Sequence, residues 1–152
     1  MLLTSLSKEH NFQVINLVFM FEISERAHVG LLLMAALAQT YETKGRVRLK
    51  QVAEDARVSL AYLEEIAALL REAGLIEGRQ GPGGGYRLMR IPVEITLEEI
   101  STALEGEVSL VACQKTAMTC PHEQKCRTKQ VWHRLQRTIQ AQLKSITLQE
   151  VI

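Results

Sequence analysis

"SLAYLEEIAALLREAGLIEGRQGPGGGYRL", residues 59–88, changes its periodicity halfway along, and that change decides the fold. Up to Gly74 the apolar residues Leu60, Leu63, Ile66, Ala67 and Leu70 recur at helical spacing, with Ser59 placed to cap the start and Gly74 to end it. After Gly74 the period shortens. Two strand-like pieces, Leu75–Arg79 and Tyr86–Arg90, flank a turn that holds four of the chain's nine glycines. A helix followed by a glycine-rich hairpin is expected.

Upstream, "VRLKQVAEDARV" places Leu49, Val52, Ala53 and Ala56 on one face of a helix of about two turns, too short to stand without tertiary support. Before it, "SERAHVGLLLMAALAQTYE" predicts a longer helix capped by Ser24, with Val29, Leu32, Leu33, Ala36 and Leu37 inward and an end near Gly45. Three helices with a tight turn between the second and third outline a helix-turn-helix, and the hairpin adds a wing. Downstream, "TLEEISTALEG" reads as a short helix from Thr96 to Gly106. Val131, Leu135, Ile139, Leu143 and Ile146 then give a last helix one apolar stripe that needs a partner, for which a second copy of the chain is a good candidate. Met34 and Met89 are expected as core fillers, and Trp132, Tyr41 and Phe21 as packing residues. The expected fold class is mainly α with a small β-hairpin wing.

The net charge of +1 conceals a segregation. Residues 44–90 carry nine Lys/Arg against six Asp/Glu, residues 91–112 five acids and no base, and residues 113–145 seven bases against one acid. Two basic segments around an acidic joint permit a polyanionic partner. No apolar run is long enough to span a membrane. "VINLVFMF" (14–21) lacks the features of a secretory signal, so the cytoplasm is expected. Residues 1–19 fit nothing downstream and are read as an N-terminal extension of uncertain role, with Met20 a candidate start.

In a helix-turn-helix the second helix enters the major groove with its first residues toward the bases. Here these are Ser59, Ala61, Tyr62, Glu64 and Glu65. Glutamate accepts from a cytosine amino group, and Glu64 is the favoured reader; Ser and Tyr more often hold phosphate. At the wing, backbone amides of Gly83, Gly84 and Gly85 and the guanidinium groups of Arg79, Arg87 and Arg90 are expected to approach the phosphates or the minor groove. No Ser/His/Asp arrangement, P-loop, dinucleotide fingerprint or paired-carboxylate pocket is present, so no enzyme is expected.

All three cysteines, Cys113, Cys120 and Cys126, fall within "CQKTAMTCPHEQKC". An odd count and the expected compartment disfavour disulfides. The gaps are wider than zinc sites prefer, and Lys115, Lys125, Arg127 and Lys129 would make metal-free thiols reactive. On these residues alone zinc, reactive thiols and an iron-sulfur centre all stay open.

The run from "LKQVAEDARV" through the wing "RQGPGGGYRL", together with the cysteine cluster, resembles the IscR/NsrR family of winged-helix transcriptional regulators, from about residue 21 to the C-terminus. The resemblance implies a homodimer held by the long C-terminal helix on a roughly palindromic operator in double-stranded promoter DNA. It also implies an iron-sulfur cluster on Cys113, Cys120 and Cys126, with a two-iron two-sulfur form favoured over a four-iron four-sulfur form. The fourth ligand departs from the family pattern. Lys129 stands where one branch has a histidine, and alignment with the other branch, whose ligand comes from the partner subunit's first helix, places His28 there. His122, His133 and Glu25 are weaker candidates.

The expected organisation is a winged helix-turn-helix over 20–92, a short helix and cluster loop over 93–126, and a dimerisation helix with its tail over 127–152. The expected function is a redox-, nitric-oxide- or cluster-status-sensing regulator, a repressor in the first instance, with the iron-sulfur assembly machinery as a further partner. The alternative is a metal-free DNA-binding regulator acting as apo-protein or through cysteine oxidation.

Overall fold

The computed structural model describes residues 23–111, 114 and 125–152. Helix α1 spans Glu25–Gln39, and the Ser24 hydroxyl caps it by accepting from the Ala27 N–H at 3.0 Å. It ends short of Gly45. The Thr40 hydroxyl donates to the Leu37 carbonyl at 3.1 Å, satisfying one of the orphan acceptors at the helix end, and a turn closes on Lys44 in the left-handed region (φ 52).

Helix α2 covers Leu49–Ala56 and α3 covers Leu60–Glu72. The turn between them is short: Arg57 is left-handed (φ 56), and the Val58 N–H donates back to the Ala53 carbonyl at 3.0 Å. Ser59 caps α3 by accepting from the Tyr62 N–H at 3.1 Å, as its position predicts. The wing is an antiparallel pair, β1 (Ile76–Arg79) and β2 (Gly85–Leu88), with Glu77 opposite Arg87. Val47 adds a bridge on the outer side of β2, exchanging hydrogen bonds with Tyr86 at 2.9 and 2.8 Å. That isolated bridge has no strand period to reveal it in the sequence.

A 3-10 turn at Pro92–Glu94 leads to α4, Leu97–Glu105, which opens on a reciprocal capping box between Thr96 and Glu99 and stops at Gly106. Helix α5 spans Lys129–Ser145 and is followed by a 3-10 turn, Leu148–Val151. The Leu97 N–H donates to the Ile146 carbonyl at 2.9 Å and the Leu148 N–H to the Ile95 carbonyl at 2.8 Å. These bonds stitch the C-terminal end of α5 to the entry of α4.

One apolar cluster holds the described elements together. Leu33, Met34 and Leu37 of α1 meet Leu63, Ile66 and Leu70 of α3, Ile76 of the wing, Ile95, Ile100 of α4 and Leu148 of the tail, all fully buried. Each such side chain contributes about 1.5–3 kcal/mol relative to exposure. The mainly helical architecture with a hairpin wing is the expected one, and the core runs continuously across residue 92.

Three residues expected inside lie outside, among them Leu32 of α1, which is 40% exposed. Leu60 is 40% exposed because, at the first position of α3, it projects past the end of the packed face; Met89 is 55% exposed because strand alternation that buries Leu88 turns the next residue outward. No residue of α5 is buried, and Val131 is 63% exposed.

Candidate nucleic-acid interface and metal centre

The first turn of α3 presents Ser59, Ala61, Glu64 and Glu65 to solvent. The Ser59 oxygen is occupied as a helix cap, which leaves its proton to donate outward. Tyr62 is half-buried and packs on the core, so its ring anchors the helix while only its edge reaches the surface. Exposed Leu60 extends this surface with an apolar contact of the kind that suits a thymine methyl. The stripe-based reading had assigned it to the core.

At the wing, Arg79 ends β1 and is exposed. Gly83 sits at the tip with φ 71 and open space around it. Gly84 and Gly85 are required by packing: a Cβ on Gly84 would collide with the Arg79 carbonyl, and one on Gly85 would lie 2.6 Å from the Val47 carbonyl oxygen. The bare Cα of Gly84 lets the hairpin turn close on itself, and that of Gly85 lets the backbone of the Val47 segment close on the hairpin.

The arginines sort into two groups. Arg87 and Arg90, expected at the nucleic acid, are engaged within the chain: Arg87 donates to Glu77 at 2.5 Å and Arg90 to Glu99 at 2.5 Å. Arg46 also donates to Glu77, at 2.9 Å, and to the Gly85 carbonyl at 3.2 Å. Hydrogen bonds from Arg87 and then Arg46 hold Glu77 below the ordinary carboxylate range. The Arg87 pair follows from the register, because Glu77 and Arg87 are cross-strand partners ten residues apart in sequence. By contrast Arg48, Arg57 and Arg79 make no ion pair with any described residue.

Of the residues expected to hold metal, Cys126 and His28 are described; Cys113, Cys120 and the weaker candidate His122 lie outside the described residues. Cys126 stands just before α5. Its sulfur lies 3.5 Å from the Thr128 hydroxyl, and hydrogen bonds from the Thr128 side chain and backbone, then from the Lys129 backbone, lower its pKa toward the thiolate that binds metal. His28 is exposed one turn into α1, its backbone N–H bonded to the Ser24 carbonyl at 3.0 Å. A cysteine of lowered pKa and an accessible imidazole suit an iron centre. Among the described residues of one chain, no three His, Cys, Asp or Glu converge as a metal site.

A further link joins these two regions. Glu105, at the end of α4, accepts from the Ser24 hydroxyl at 2.7 Å and from Arg26 Nε at 2.9 Å. The segment that leads toward the cysteines is thereby tied to the start of α1. The Arg26 and Ser24 hydrogen bonds hold Glu105 below its ordinary pKa.

Residues 23–152 match the Rrf2 family model, described as an iron-dependent transcriptional regulator. The HTH-type transcriptional regulator NMA1593 of Neisseria meningitidis is 35% identical over 130 residues, 86% of either chain. An IscR regulator of Klebsiella pneumoniae is 32% identical over 130 residues, 86% of this chain and 78% of its own. Among solved structures, T. potens IscR superposes with a TM-score of 0.68 at 34% identity, covering 86% of this chain and 85% of its own. CymR, the global cysteine regulator of B. subtilis, gives 0.68 at 31% identity, covering 86% and 95%. These relatives are regulators rather than enzymes, and among the described residues no helix is long and apolar enough to cross a membrane. With a family match over nearly all of its described length and relatives of this identity, the chain belongs to the Rrf2 family of winged-helix transcriptional regulators.

Proposed function

We propose that this regulator works in the cytoplasm as a homodimer whose operator affinity is modulated by an iron-sulfur cluster held by Cys113, Cys120 and Cys126, with His28 of the other subunit as fourth ligand. The observation that carries the reading is the placement of the two described donors. The Cys126 sulfur at the foot of α5 accepts hydrogen bonds from Thr128 that lower its pKa, and His28 is presented outward at a helix start that Glu105 braces. The two-iron two-sulfur form is favoured, and such a centre supplies a tie that reduction, nitrosylation or loss of iron can break.

The chain's own residues do the rest. The apolar stripe of Val131, Leu135 and Ile139 on α5, of which Val131 is exposed and the other two half-buried in the single chain, joins the two copies. The start of α3 reads bases, with Glu64 accepting from cytosine, while Arg79 and the backbone of Gly83, Gly84 and Gly85 meet the minor groove or its phosphates. Two recognition helices must match half-sites one duplex turn apart, so a small rotation between subunits changes affinity. A coupling of about 1–3 kcal/mol corresponds to some five- to 150-fold. The corresponding division is a winged domain over 20–92, a cluster segment over 93–126 and a dimerisation segment over 127–152.

Protein purified without air and assayed for iron, sulfide and visible absorption tests the proposal. Colour and iron are expected in the parent and a changed spectrum or shorter cluster lifetime in His28→Ala. An unchanged spectrum and lifetime in that variant reject His28 as ligand, and iron-free parent protein rejects the cluster.

A second reading, direct sensing by cysteine oxidation, is favoured by one pair of observations. The Cys126 thiol is lowered toward the reactive form, and an oxidised form of Staphylococcus aureus CymR, 34% identical over 84% of this chain, has the same fold at a TM-score of 0.65. Metal-free protein whose promoter affinity responds to peroxide, and not to iron, would establish it.

A further inference from the structure

Helix α2 breaks a local rule of helix stability at each end, and a cationic residue stands at both. Its start carries Arg48 at the capping position with no side-chain cap and exposed Lys50 in the first turn, where the helix dipole disfavours cations. Its end carries Arg57 in the left-handed region (φ 56), which a residue with a Cβ adopts only under strain and where glycine would be at ease. Arg57 is exposed, and although Glu54 and Asp55 lie one turn or less away, neither pairs with it. The arginines that brace the fold each have a glutamate. These have none.

We propose that Arg57, with Arg48 and Lys50 at the opposite end of α2, forms a clamp on the phosphate backbone beside the groove that α3 enters. In a helix-turn-helix the first helix of the pair crosses the backbone, which puts the two ends of α2 over successive phosphates. A guanidinium in the turn, held by a strained backbone, donates to phosphate oxygens without disturbing the α3 cap at Ser59. The clamp rests on the DNA-binding reading and adds to it the residues that supply sequence-independent affinity.

The test uses the full chain and a mixed-sequence duplex of about thirty base pairs, with binding followed by fluorescence anisotropy over a potassium chloride series. Arg57→Gln keeps a polar side chain and the strained backbone but removes the charge. It is expected to bind about three- to tenfold more weakly near 100 mM salt, with the slope of log affinity against log salt reduced by about 0.9. Arg57→Lys is expected to keep most of that slope, and Arg57→Gly to unfold at a higher temperature than the parent while binding as poorly as Arg57→Gln. Parent-like affinity and slope in Arg57→Gln overturn the clamp. A parent protein that binds no duplex even at about 50 mM salt overturns the DNA-binding reading with it.

Discussion

Arg26 Nε stands 2.9 Å from Glu105 Oε1, and the same oxygen accepts from the Ser24 hydroxyl at 2.7 Å. One carboxylate thus fixes the start of α1 against the end of α4 across 79 residues of chain. Both partners are partly solvated, so the pair sets position more than stability. Glu105→Gln is expected to lower the melting temperature by only about 1–3 °C. Arg26→Gln should do the same, and the double variant should do no more than either single one, which a thermal-melt double-mutant cycle measures.

Acid should loosen the molecule in a specific window. Glu77 is held below its ordinary value of 4.5 by Arg87 and Arg46, and Glu105 by Arg26 and Ser24. For Glu99, burial pushes the pKa up, but the Thr96 backbone N–H and Arg90 together outweigh it and the net direction is down. Groups with depressed folded pKa values take up protons on unfolding. Their contribution is therefore complete above the unfolded value near 4.5 and is lost as pH falls through the lower folded values. Urea midpoints should fall below about pH 4.5 and less steeply in Glu77→Gln.

Gly85→Ala should separate the wing from the Val47 segment, because the new Cβ meets the Val47 carbonyl and the residue's φ is 138. The expected cost is roughly 2 kcal/mol. Hydrogen exchange at the Val47 and Tyr86 amides, which are bonded to each other's carbonyls, should accelerate selectively. Gly83→Ala, with open space around it, should cost about 1 kcal/mol or less.

Thr96→Ala removes the hydroxyl that accepts from the Glu99 N–H, leaves the bond from the Thr96 N–H to the Glu99 carboxylate, and should cost about 1 kcal/mol by denaturant titration.

Val131→Glu and Leu135→Glu should leave the helix content of the chain unchanged, since no residue of α5 is buried. Sedimentation should then give a mass near 17.1 kDa in place of about twice that value, consistent with the proposed joining of two copies.

Local rules wrote much of this structure into the sequence. Ser24, Ser59 and Thr96 cap the helices they were expected to cap, and Gly106 ends α4, because each cap depends on neighbours within a turn. What apolar spacing does not show are pairings, neighbouring surfaces and side-chain competition at a helix end. Arg87 and Arg90 find glutamates that only the hairpin register and the fold of α4 bring near. Leu60 has the right spacing for the core and nothing to pack on. Helix α1 stops at Gln39 because the Thr40 side chain competes for its last carbonyls, a contest that apolar spacing does not register. Of the metal-ligand set, the cysteine spacing was visible, but the stabilisation of Cys126 needed the geometry of the α5 start.

The backbone stitch between Ile95, Leu97, Ile146 and Leu148 makes α5 a lever rather than a strut. Its fulcrum is Leu148, which sits in the same apolar cluster as Ile66 of the recognition helix. A tilt applied along the shaft is therefore delivered toward the seat of the element that meets the groove, and clipping the chain after Ser145 would remove both bonds of the stitch.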